Sequence, residues 1–192
     1  MDISEQKKII RKQILTKRNL LSKDEVLSTS KIICDKIISL DVYNKCNDIC
    51  IYSPISNEVN VFLLIEHMLK HNKNIYLPKT FDNSISFFEY DGESDLVLGK
   101  YNILEPIPNN KLIPNSNTLI IMPGAVFSYN CERIGYGGGY YDRFLHDYPM
   151  CNTLAVAYDF QVLPQIPCEN HDIKPQQIIT EQKVINFLEN IR

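Results

Sequence analysis

A glycine-rich segment at residues 133–142 carries the residue types best suited to chemistry. It reads Arg-Ile-Gly-Tyr-Gly-Gly-Gly-Tyr-Tyr-Asp and contains four of the chain's seven glycines. Glycine reaches backbone angles closed to other residues and lets a ligand approach the main chain. The apolar residues 118–124 predict a buried strand and its loop, and residues 140–147 predict a helix. A glycine loop that enters a helix points backbone N–H groups at one place, so we expect a phosphate there.

Two charged residues flank these glycines. Arg133 adds a cation at one lip of the loop, and Asp142 adds a carboxylate in the first turn of the predicted helix. A carboxylate and a phosphate commonly share the Mg²⁺ of a bound nucleotide. No Gly-Lys-Ser/Thr follows, and the spacing Gly-x-Gly-x-x-Gly is absent, which excludes a P-loop and a dinucleotide-binding fingerprint. The simpler alternative is a turn whose Asp142 only complements the helix dipole. The arginine, tyrosines and aspartate together favour a phosphate ester such as Mg·ATP.

Three cations lie along one side of the first predicted helix. At about 100° per residue, Lys7, Arg11 and Arg18 follow the border of an apolar stripe. The stripe includes Ile10 and Ile14. Long basic side chains often follow such a border and reach water with their charged ends. By themselves these cations therefore indicate only a packing role.

The elements that must position these residues alternate along the chain. Strands are predicted at residues 48–53, 74–79, 84–90, 118–122, 153–158 and 177–180. Helices are predicted at residues 4–20, 60–71 and 140–147. A capping box at Ser22 and Glu25 predicts the start of another helix. A closing helix is predicted after Thr180, with Val184, Phe187, Leu188 and Ile191 facing the core. The alternation predicts one α/β domain over residues 1–192, a three-layer sandwich with a largely parallel sheet.

The composition excludes several classes of protein. The net charge is −3, so no basic field draws the chain to nucleic acid or to a membrane surface. No apolar run is long enough to span a bilayer, and the polar N-terminus does not resemble a signal peptide. The six cysteines form no C-x-x-C pair, so we expect reduced thiols. The prediction is a cytoplasmic monomer that acts on small molecules.

The glycine-rich segment also resembles a known signature. Arg-Ile-Gly-Tyr-Gly-Gly-Gly-Tyr-Tyr-Asp-Arg-Phe-Leu is similar to the motif of the 5-formyltetrahydrofolate cyclo-ligase family, and the similarity extends through most of the chain. Lys7-Lys-Ile-Ile-Arg11 matches the family's Lys-x-x-x-Arg, which implies that both cations reach nucleotide phosphates. A similar strand precedes the family's Glu-Val, which implies that Glu58 binds the folate and that Ser53 lines the same pocket. The segment ending at Asp172 implies a second Mg²⁺ carboxylate beside Asp142.

The resemblance implies a reaction and a full set of contacts. The formyl oxygen of 5-formyltetrahydrofolate would attack the γ-phosphate of ATP, and N10 would then close the ring to give 5,10-methenyltetrahydrofolate, ADP and phosphate. The expected catalytic residues are Arg133 and Tyr140. The expected nucleotide contacts are Lys7, Arg11, Arg133, Ile134, Gly135, Tyr136, Gly137, Gly138, Gly139, Tyr140 and Tyr141. The expected folate contacts are Ser53, Glu58, Tyr136, Gly137, Gly138, Gly139 and Tyr140. The tyrosines offer flat apolar faces and hydroxyl donors.

Two other functions remain as alternatives at this point. The resemblance implies the fold of sugar-phosphate isomerases and CoA transferases, enzymes that use a carboxylate but no ATP. A non-catalytic relative that binds nucleotide or RNA is the other alternative. The paired cations and the loop carboxylate favour the cyclo-ligase. The chain departs from the family pattern at Ser128, where Asp is usual, and at Cys131, where Gly is usual, which leaves the shape of the loop's approach open. Residues 99–106 are expected to run extended near the folate pocket, and Lys79 is expected to be solvated.

Overall fold

Two long helices open the chain in the computed structural model, which describes residues 2–187 and, at Tyr101, the backbone alone. Helix α1 spans Ile3–Asn19 and α2 spans Lys23–Ser39, followed by the short α3 at Asp41–Lys45. The Asp2 carboxylate accepts a hydrogen bond from the Glu5 amide at 2.7 Å, and Ser22 and Glu25 cap each other's backbone N–H groups. Both helices therefore begin where a side chain satisfies the first free donors.

A seven-stranded sheet forms the centre of the molecule. Its strands are β1 (Asp48–Cys50), β2 (Asn74–Thr80), β3 (Ile85–Glu89), β6 (Thr118–Met122), β9 (Asn152–Val156), β11 (Gln177–Ile179) and β12 (Val184–Asn186). Their order is β12-β11-β9-β6-β1-β2-β3. The neighbours from β11 to β2 run parallel, and β3 and β12 add antiparallel edges. The predicted α/β fold with a large, mostly parallel sheet is confirmed.

Both faces of this sheet are covered, as a parallel sheet requires. Along β6, Leu119 and Ile121 pack on one side and Ile120 and Met122 on the other. The first face receives α2, a 3₁₀ turn at Val61–Leu64 and helix α4 at Ile65–Lys70. The second face receives α5 at Tyr140–Asp147, the helix predicted after the glycines. The sheet thus lies between two helical layers.

Shorter elements complete the described chain. A second sheet is ordered β10-β7-β8, from β7 (Val126–Ser128), β8 (Arg133–Ile134) and β10 (Val162–Leu163). The apolar residues of α1 pack on this small sheet in a cluster around Val126 and Ile134. Strands β4 (Leu96–Leu98) and β5 (Leu104–Pro106) form an antiparallel hairpin with a 3₁₀ turn at Lys100–Asn102. Further 3₁₀ turns lie at Glu93–Asp95 and Asp159–Gln161.

The closing helix predicted after Thr180 is wrong, because the chain turns back and adds strand β12. The Thr180 hydroxyl accepts hydrogen bonds from the amides of Gln182 and Lys183, which closes a tight turn. Ile185 is then buried while its neighbour Val184 is exposed, the period of two that belongs to a strand. Phe187 packs against the core, whereas Leu188 and Ile191, expected on the same helix, lie outside the described residues.

Strand β1 is also shorter than the predicted 48–53. After Cys50 the chain leaves the ladder, and the Tyr52 hydroxyl donates a hydrogen bond to the carbonyl of Val59 at 2.7 Å. This bond draws the segment between them into a compact loop above the sheet. That loop carries Ser53 and Glu58, so the early end of β1 creates room for a site.

Candidate active site

The residues singled out in the sequence meet above one edge of the main sheet. Strands β1 and β6 run parallel, so their carboxyl ends, at Cys50 and Met122, point to the same edge. The loop after β1 carries Ser53 and Glu58 to that edge. The glycine loop, residues 135–139, reaches it between β8 and α5. Open α/β sheets bind ligands at such carboxyl ends.

The glycine loop adopts a conformation that depends on its glycines. Gly137 has a φ of +103° and Gly139 a φ of +63°, both in the region that other residues rarely occupy. A Cβ on Gly138 would lie 2.5 Å from the ring of Tyr140. Gly139 is the N-cap of α5 and no side chain caps the helix there. The glycine loop therefore leads directly into the positive end of the α5 helix dipole.

Arg11 brings helix α1 to this loop. Its Nε donates a hydrogen bond to the carbonyl of Gly135 at 2.7 Å. Its Nη1 lies 3.9 Å from where a Cβ would stand on Gly137. Within residues 2–187, neither terminal nitrogen of the guanidinium makes a hydrogen bond, and burial lowers the pKa of Arg11. The structure therefore brings together a cation and the glycine loop, with two donors left for a ligand.

Lys7, one turn earlier, contacts a different segment. Its Nζ donates to Asp172 at 2.5 Å and to Glu169 at 2.8 Å. Burial opposes the charge of Lys7, but the hydrogen bonds with the two carboxylates outweigh it, and the pKa of Lys7 is raised. The ligand atoms of Glu169, His171 and Asp172 lie within 4.8 Å of one another. Glu169 was missed by the sequence analysis, since only its place beside Asp172 in the fold identifies it.

Asp142 lies in a second ion pair. Arg133 Nη2 donates to both carboxylate oxygens of Asp142 at 2.9 Å, and the amide of Ile173 donates to Oδ1 at 3.1 Å. Asp142 is thus tied to the neighbour of Asp172, and the two carboxylates predicted for Mg²⁺ come from adjacent segments. Each pairs here with a cation, Arg133 or Lys7. Carboxylate oxygens are the donors that Mg²⁺ prefers, so the residues present fit this ion.

Glu58 is held in a buried network that joins three parts of the chain. It is 5% exposed. The Tyr136 hydroxyl donates to Oε1, the amide of Ile55 donates to Oε2 at 2.9 Å, and Arg18 Nη1 lies 3.6 Å from Oε1. Arg18 also donates to the Tyr136 hydroxyl oxygen at 2.6 Å. Burial raises the pKa of Glu58, and the nearby Arg18 cation opposes that rise. The structure thus brings Glu58 to the glycine loop.

Ser53 borders a pocket of about 350 Å³ beside this network. Its hydroxyl donates to the carbonyl of Leu104 at 2.5 Å, which ties the loop after β1 to strand β5. The pocket is lined by Ser53, Pro54, Ile55, Ser56, Phe62, Asn102, Ile103 and Leu104. Ile55 also forms hydrogen bonds with Glu58 through its backbone, so the buried carboxylate and the pocket share one loop. Residues 99–106 therefore border a pocket, although they form a 3₁₀ turn and a strand instead of one extended stretch.

Lys79 helps to hold that hairpin, and the prediction that it is solvated is wrong. Its Nζ lies 3.6 Å from Oε2 of Glu105, and the two side chains are 20% and 4% exposed. Oε1 of Glu105 accepts a hydrogen bond from the amide of Thr80 at 3.0 Å. A Cβ on Gly99 would overlap the Glu105 carboxylate. A glycine, a buried glutamate and a lysine together attach the hairpin to β2.

The hydroxyl groups of the two tyrosines that begin α5 differ in their surroundings. Lys100 donates a hydrogen bond to the Tyr140 hydroxyl at 3.1 Å, and the guanidinium of Arg143 lies 5.2 Å from its ring centre. The Tyr141 hydroxyl is buried and has no hydrogen-bond partner within residues 2–187. Burial raises the pKa of Tyr141, so its phenol stays neutral. Tyr140 therefore faces the accessible side of the loop, and Tyr141 packs beneath it.

Comparison with known proteins identifies the family. The model of the "5-formyltetrahydrofolate cyclo-ligase family" matches residues 3–181. The chain belongs to this family. Among curated relatives, the probable 5-formyltetrahydrofolate cyclo-ligase of Schizosaccharomyces pombe is 27% identical over 84% of this chain and 89% of its own length. The cyclo-ligase of Escherichia coli K12 is 30% identical over 71% of this chain and 79% of its own. The solved 5,10-methenyltetrahydrofolate synthetase of Aquifex aeolicus superposes with a TM-score of 0.84 at 32% identity, covering 94% of this chain and 92% of that one.

The two departures from the family pattern lie in the turn between β7 and β8. Cys131 has a φ of +58°, which gives a physical reason for the family's glycine. The Ser128 hydroxyl accepts from the amides of Asn130 at 3.2 Å and Glu132 at 3.3 Å and donates to the Glu132 carboxylate at 2.8 Å. A short side-chain acceptor at this position closes the turn as Asp would. Strand β8 therefore stays paired with β7 and delivers Arg133 to the glycine loop.

Arg18 is the other residue that the sequence analysis undervalued. It follows Lys7 and Arg11 on one side of α1, and the available signal was this spacing. Their spacing alone predicted charged ends in water, and the resemblance assigned phosphate contacts to Lys7 and Arg11 but no role to Arg18. Instead Arg18 is 3% exposed and Lys7 is buried.

No helix within residues 2–187 is long and apolar enough to cross a membrane.

Proposed function

We propose that the chain converts 5-formyltetrahydrofolate to 5,10-methenyltetrahydrofolate with Mg·ATP, releasing ADP and phosphate. The observation that carries this is the position of Tyr136. Its backbone belongs to the glycine loop that Arg11 contacts through Gly135, and its hydroxyl lies on the buried carboxylate of Glu58. An anion-binding loop and a polar pocket are thus one contact apart, the arrangement that group transfer between two ligands requires. Membership of the cyclo-ligase family supports the same reaction.

The nucleotide binds at the glycine loop in this proposal. The amides of the glycine loop and the terminal nitrogens of Arg11 hold phosphate oxygens, since the loop leads into the positive end of the α5 dipole and Arg11 donates only through Nε within residues 2–187. Lys7 and Arg133 supply further positive charge, and the remaining loop residues supply backbone contacts. Asp142 and Asp172 hold the Mg²⁺, which when bound neutralises phosphate charge. Glu169 is close enough to Lys7 to compensate for that cation.

The folate binds beside Ser53 and Glu58. A buried carboxylate is a strong acceptor for the N–H donors of a pterin ring. The apolar and polar lining of the adjacent 350 Å³ pocket suits an aromatic group with few charges. Tyr136 and the glycines lie between the two ligands and contact both. The Tyr136 hydroxyl must yield its place on Glu58 when a ligand uses the same oxygen.

The reaction needs positioning more than covalent help from the protein. The formyl oxygen of the folate attacks the γ-phosphorus, and the bond from that phosphorus to ADP breaks. N10 then attacks the activated formyl carbon and loses its proton to water or to the departing phosphate, the carbon–oxygen bond breaks, and phosphate leaves. Arg133 stabilises charge on the transferred phosphoryl group, and the Tyr140 hydroxyl orients it from the accessible side of the loop. The pterin stays anchored by Glu58 throughout.

The arrangement of the whole chain is part of the proposal. We propose the fold shared with sugar-phosphate isomerases and CoA transferases, as one domain over residues 1–192. The continuous seven-stranded sheet supports a single domain, since its strands come from all parts of residues 48–186. A monomer in the cytoplasm remains our prediction for its state and location. Sedimentation of the purified chain would test the monomer.

One assay tests the reaction. The absorbance of the methenyl product should rise from 5-formyltetrahydrofolate only when ATP and a divalent metal are both present, with one ADP formed per turnover. Product formed at the same rate without ATP would contradict the proposal, as would ATP hydrolysis that leaves the folate unchanged. Heat-denatured protein serves as the blank for any product that forms without the folded chain.

A further inference from the structure

Arg18 occupies a position that a packing role does not explain. It is 3% exposed at the end of α1, and its Nε is buried without a hydrogen-bond partner among the described residues. Burying a charged group with an unpaired N–H is costly unless an opposite charge compensates. The compensating charge is Glu58, 3.6 Å away and itself 5% exposed. Arg18 and Glu58 therefore form a buried ion pair in which each charge compensates the other.

Arg18 acts on two residues of the site at once. Its Nη1 donates to the Tyr136 hydroxyl oxygen at 2.6 Å, and that hydroxyl donates its own proton to Glu58. The guanidinium carbon lies 5.7 Å from the centre of the Tyr136 ring. Arg11, two turns earlier on the same helix, contacts Gly135 next in sequence. One rigid helix thus fixes consecutive residues of the glycine loop.

We propose that Arg18 is a positioning residue, which keeps the Glu58 carboxylate charged and aimed at the folate and aligns Tyr136 between the two ligands. This inference rests on the proposed function. It assigns the residue a role beyond those of the cations at the phosphate, Lys7 and Arg11. Arg18 itself contacts neither reacting atom.

The surroundings of Glu58 leave Arg18 as the cation that compensates its charge. The other titratable groups near it are four phenols, those of the buried Tyr52 and Tyr158, the partly buried Tyr141 and Tyr136, whose residue is 39% exposed. Burial raises the pKa of each phenol, that of Tyr158 to about 12, so they are neutral near pH 7. Burial also raises the pKa of Glu58 against the opposing effect of Arg18. Loss of Arg18 therefore moves protonation of Glu58 to higher pH.

The test compares Arg18→Gln with Lys12→Gln, which removes the same charge from an exposed position on the same helix. A ¹³C NMR titration of the glutamate carboxyl carbons in the free protein follows Glu58, whose signal is assigned by its loss in Glu58→Gln. We expect Arg18→Gln to raise the pKa of Glu58 by about 1 unit or more. The acidic limb of kcat/KM for 5-formyltetrahydrofolate should move upward with it. Lys12→Gln should leave both unchanged.

Two results would overturn the inference. One is a folded Arg18→Gln protein whose Glu58 titration and pH profile match the unmodified chain. The other concerns a variant that fails to fold. The double variant Arg18→Gln/Glu58→Gln leaves no unpaired buried charge, so it should melt at a higher temperature than Arg18→Gln alone. Equal melting temperatures would show that Arg18 and Glu58 are not coupled.

The carboxyl titration also separates this inference from the proposed function. It is measured without ATP or folate, so it responds to Arg18 whatever the reaction. An unmodified chain that makes no methenyl product, but whose Glu58 responds to Arg18→Gln, would end the proposed function and leave the coupling intact. An active chain whose Glu58 does not respond would end the positioning role alone.

Discussion

Arg11 and Ile14 stand one turn apart on α1 and stabilise different things. Ile14 packs in the apolar cluster above the small sheet and is partly buried, whereas Arg11 ends at the glycine loop. A residue at the border between core and surface can pack against the core or bind a ligand. Substitution at each position shows which of these two contacts the side chain makes. Loss of Arg11 should be measured as weaker ligand binding, and loss of Ile14 as a lower free energy of unfolding.

Arg11→Ala should weaken ATP binding and spare the fold. A charge-assisted hydrogen bond is worth about 1.5–3 kcal/mol, and each 1.4 kcal/mol is a factor of ten, so kcat/KM for ATP should fall roughly 10- to 150-fold. Ile14→Ala should instead cost about 1–2 kcal/mol of unfolding free energy, because its side chain is only partly buried. Steady-state kinetics beside a thermal melt measures both, with Lys8→Ala at an exposed position of α1 as control. Intact ATP kinetics in Arg11→Ala would show a packing role.

Asp142→Asn should change both stability and the metal requirement. The carboxylate pairs with a nearly buried Arg133 through two 2.9 Å hydrogen bonds, so its loss should cost about 1–3 kcal/mol of unfolding free energy. The concentration of Mg²⁺ for half-maximal activity should also rise. Denaturant unfolding and a Mg²⁺ titration of activity are the measurements. Asp147→Asn, exposed on the same helix, is the control. A lower stability with normal Mg²⁺ dependence would make Asp142 a partner of Arg133 only.

The glycine loop is rigid because its conformation is available to few other residues. Its backbone alternates between positive and ordinary φ angles before α5, and Arg11 holds it from above. A residue with a Cβ at a positive φ costs about 1–2 kcal/mol. At this loop, that conformational strain should weaken ligand binding as well as lower the free energy of unfolding.

Gly137→Val should therefore lower ATP affinity by at least about 5- to 30-fold, the equivalent of 1–2 kcal/mol. The valine also approaches the terminal nitrogens of Arg11, which lie about 4 Å from the Cβ position. Gly92→Val is the matched control, since Gly92 has a φ of +141° in a turn away from the site, and a Cβ there would lie 3.9 Å from the Ser94 hydroxyl oxygen, an ordinary contact. Calorimetric titration with ATP should show a loss in Gly137→Val alone. Similar losses in both variants would mean that the loop responds only to lower stability.

The whole molecule shows what a single sequence predicts well. The central strands and α5 have strong local signals, such as the apolar run of β6 and the glycines before Tyr140, and they lie where predicted. The resemblance identified the family and so the activity. Local patterns failed where a distant contact decides the outcome. The turn at Thr180 became a hairpin because β11 offered an open edge, and Lys79 is partly buried because Glu105 lies opposite.

The same reasoning explains the incomplete picture of the site. Arg11 and the glycine loop could be placed from motifs. The burial of Arg18 depends on Glu58 and Tyr136, residues 40 and 118 positions further along the chain. Sequence spacing on α1 shows which cations share a side, but it does not show which of them meets a carboxylate. Which cation meets a carboxylate depends on the tertiary fold, which brings Glu58 and Tyr136 to Arg18.

The contacts of α1 also bear on the order in which the chain becomes functional during synthesis. Lys7 meets Asp172, a separation of 165 residues, and Arg18 meets Tyr136 across 118. Lys7 can therefore reach Asp172, and Arg18 can reach Tyr136, only after a long further stretch of chain has been made. Closing such long loops is slow compared with forming a helix. A nascent chain that ends before residue 172 holds Lys7 without Asp172, so it should bind the nucleotide more weakly than a chain that extends beyond this residue.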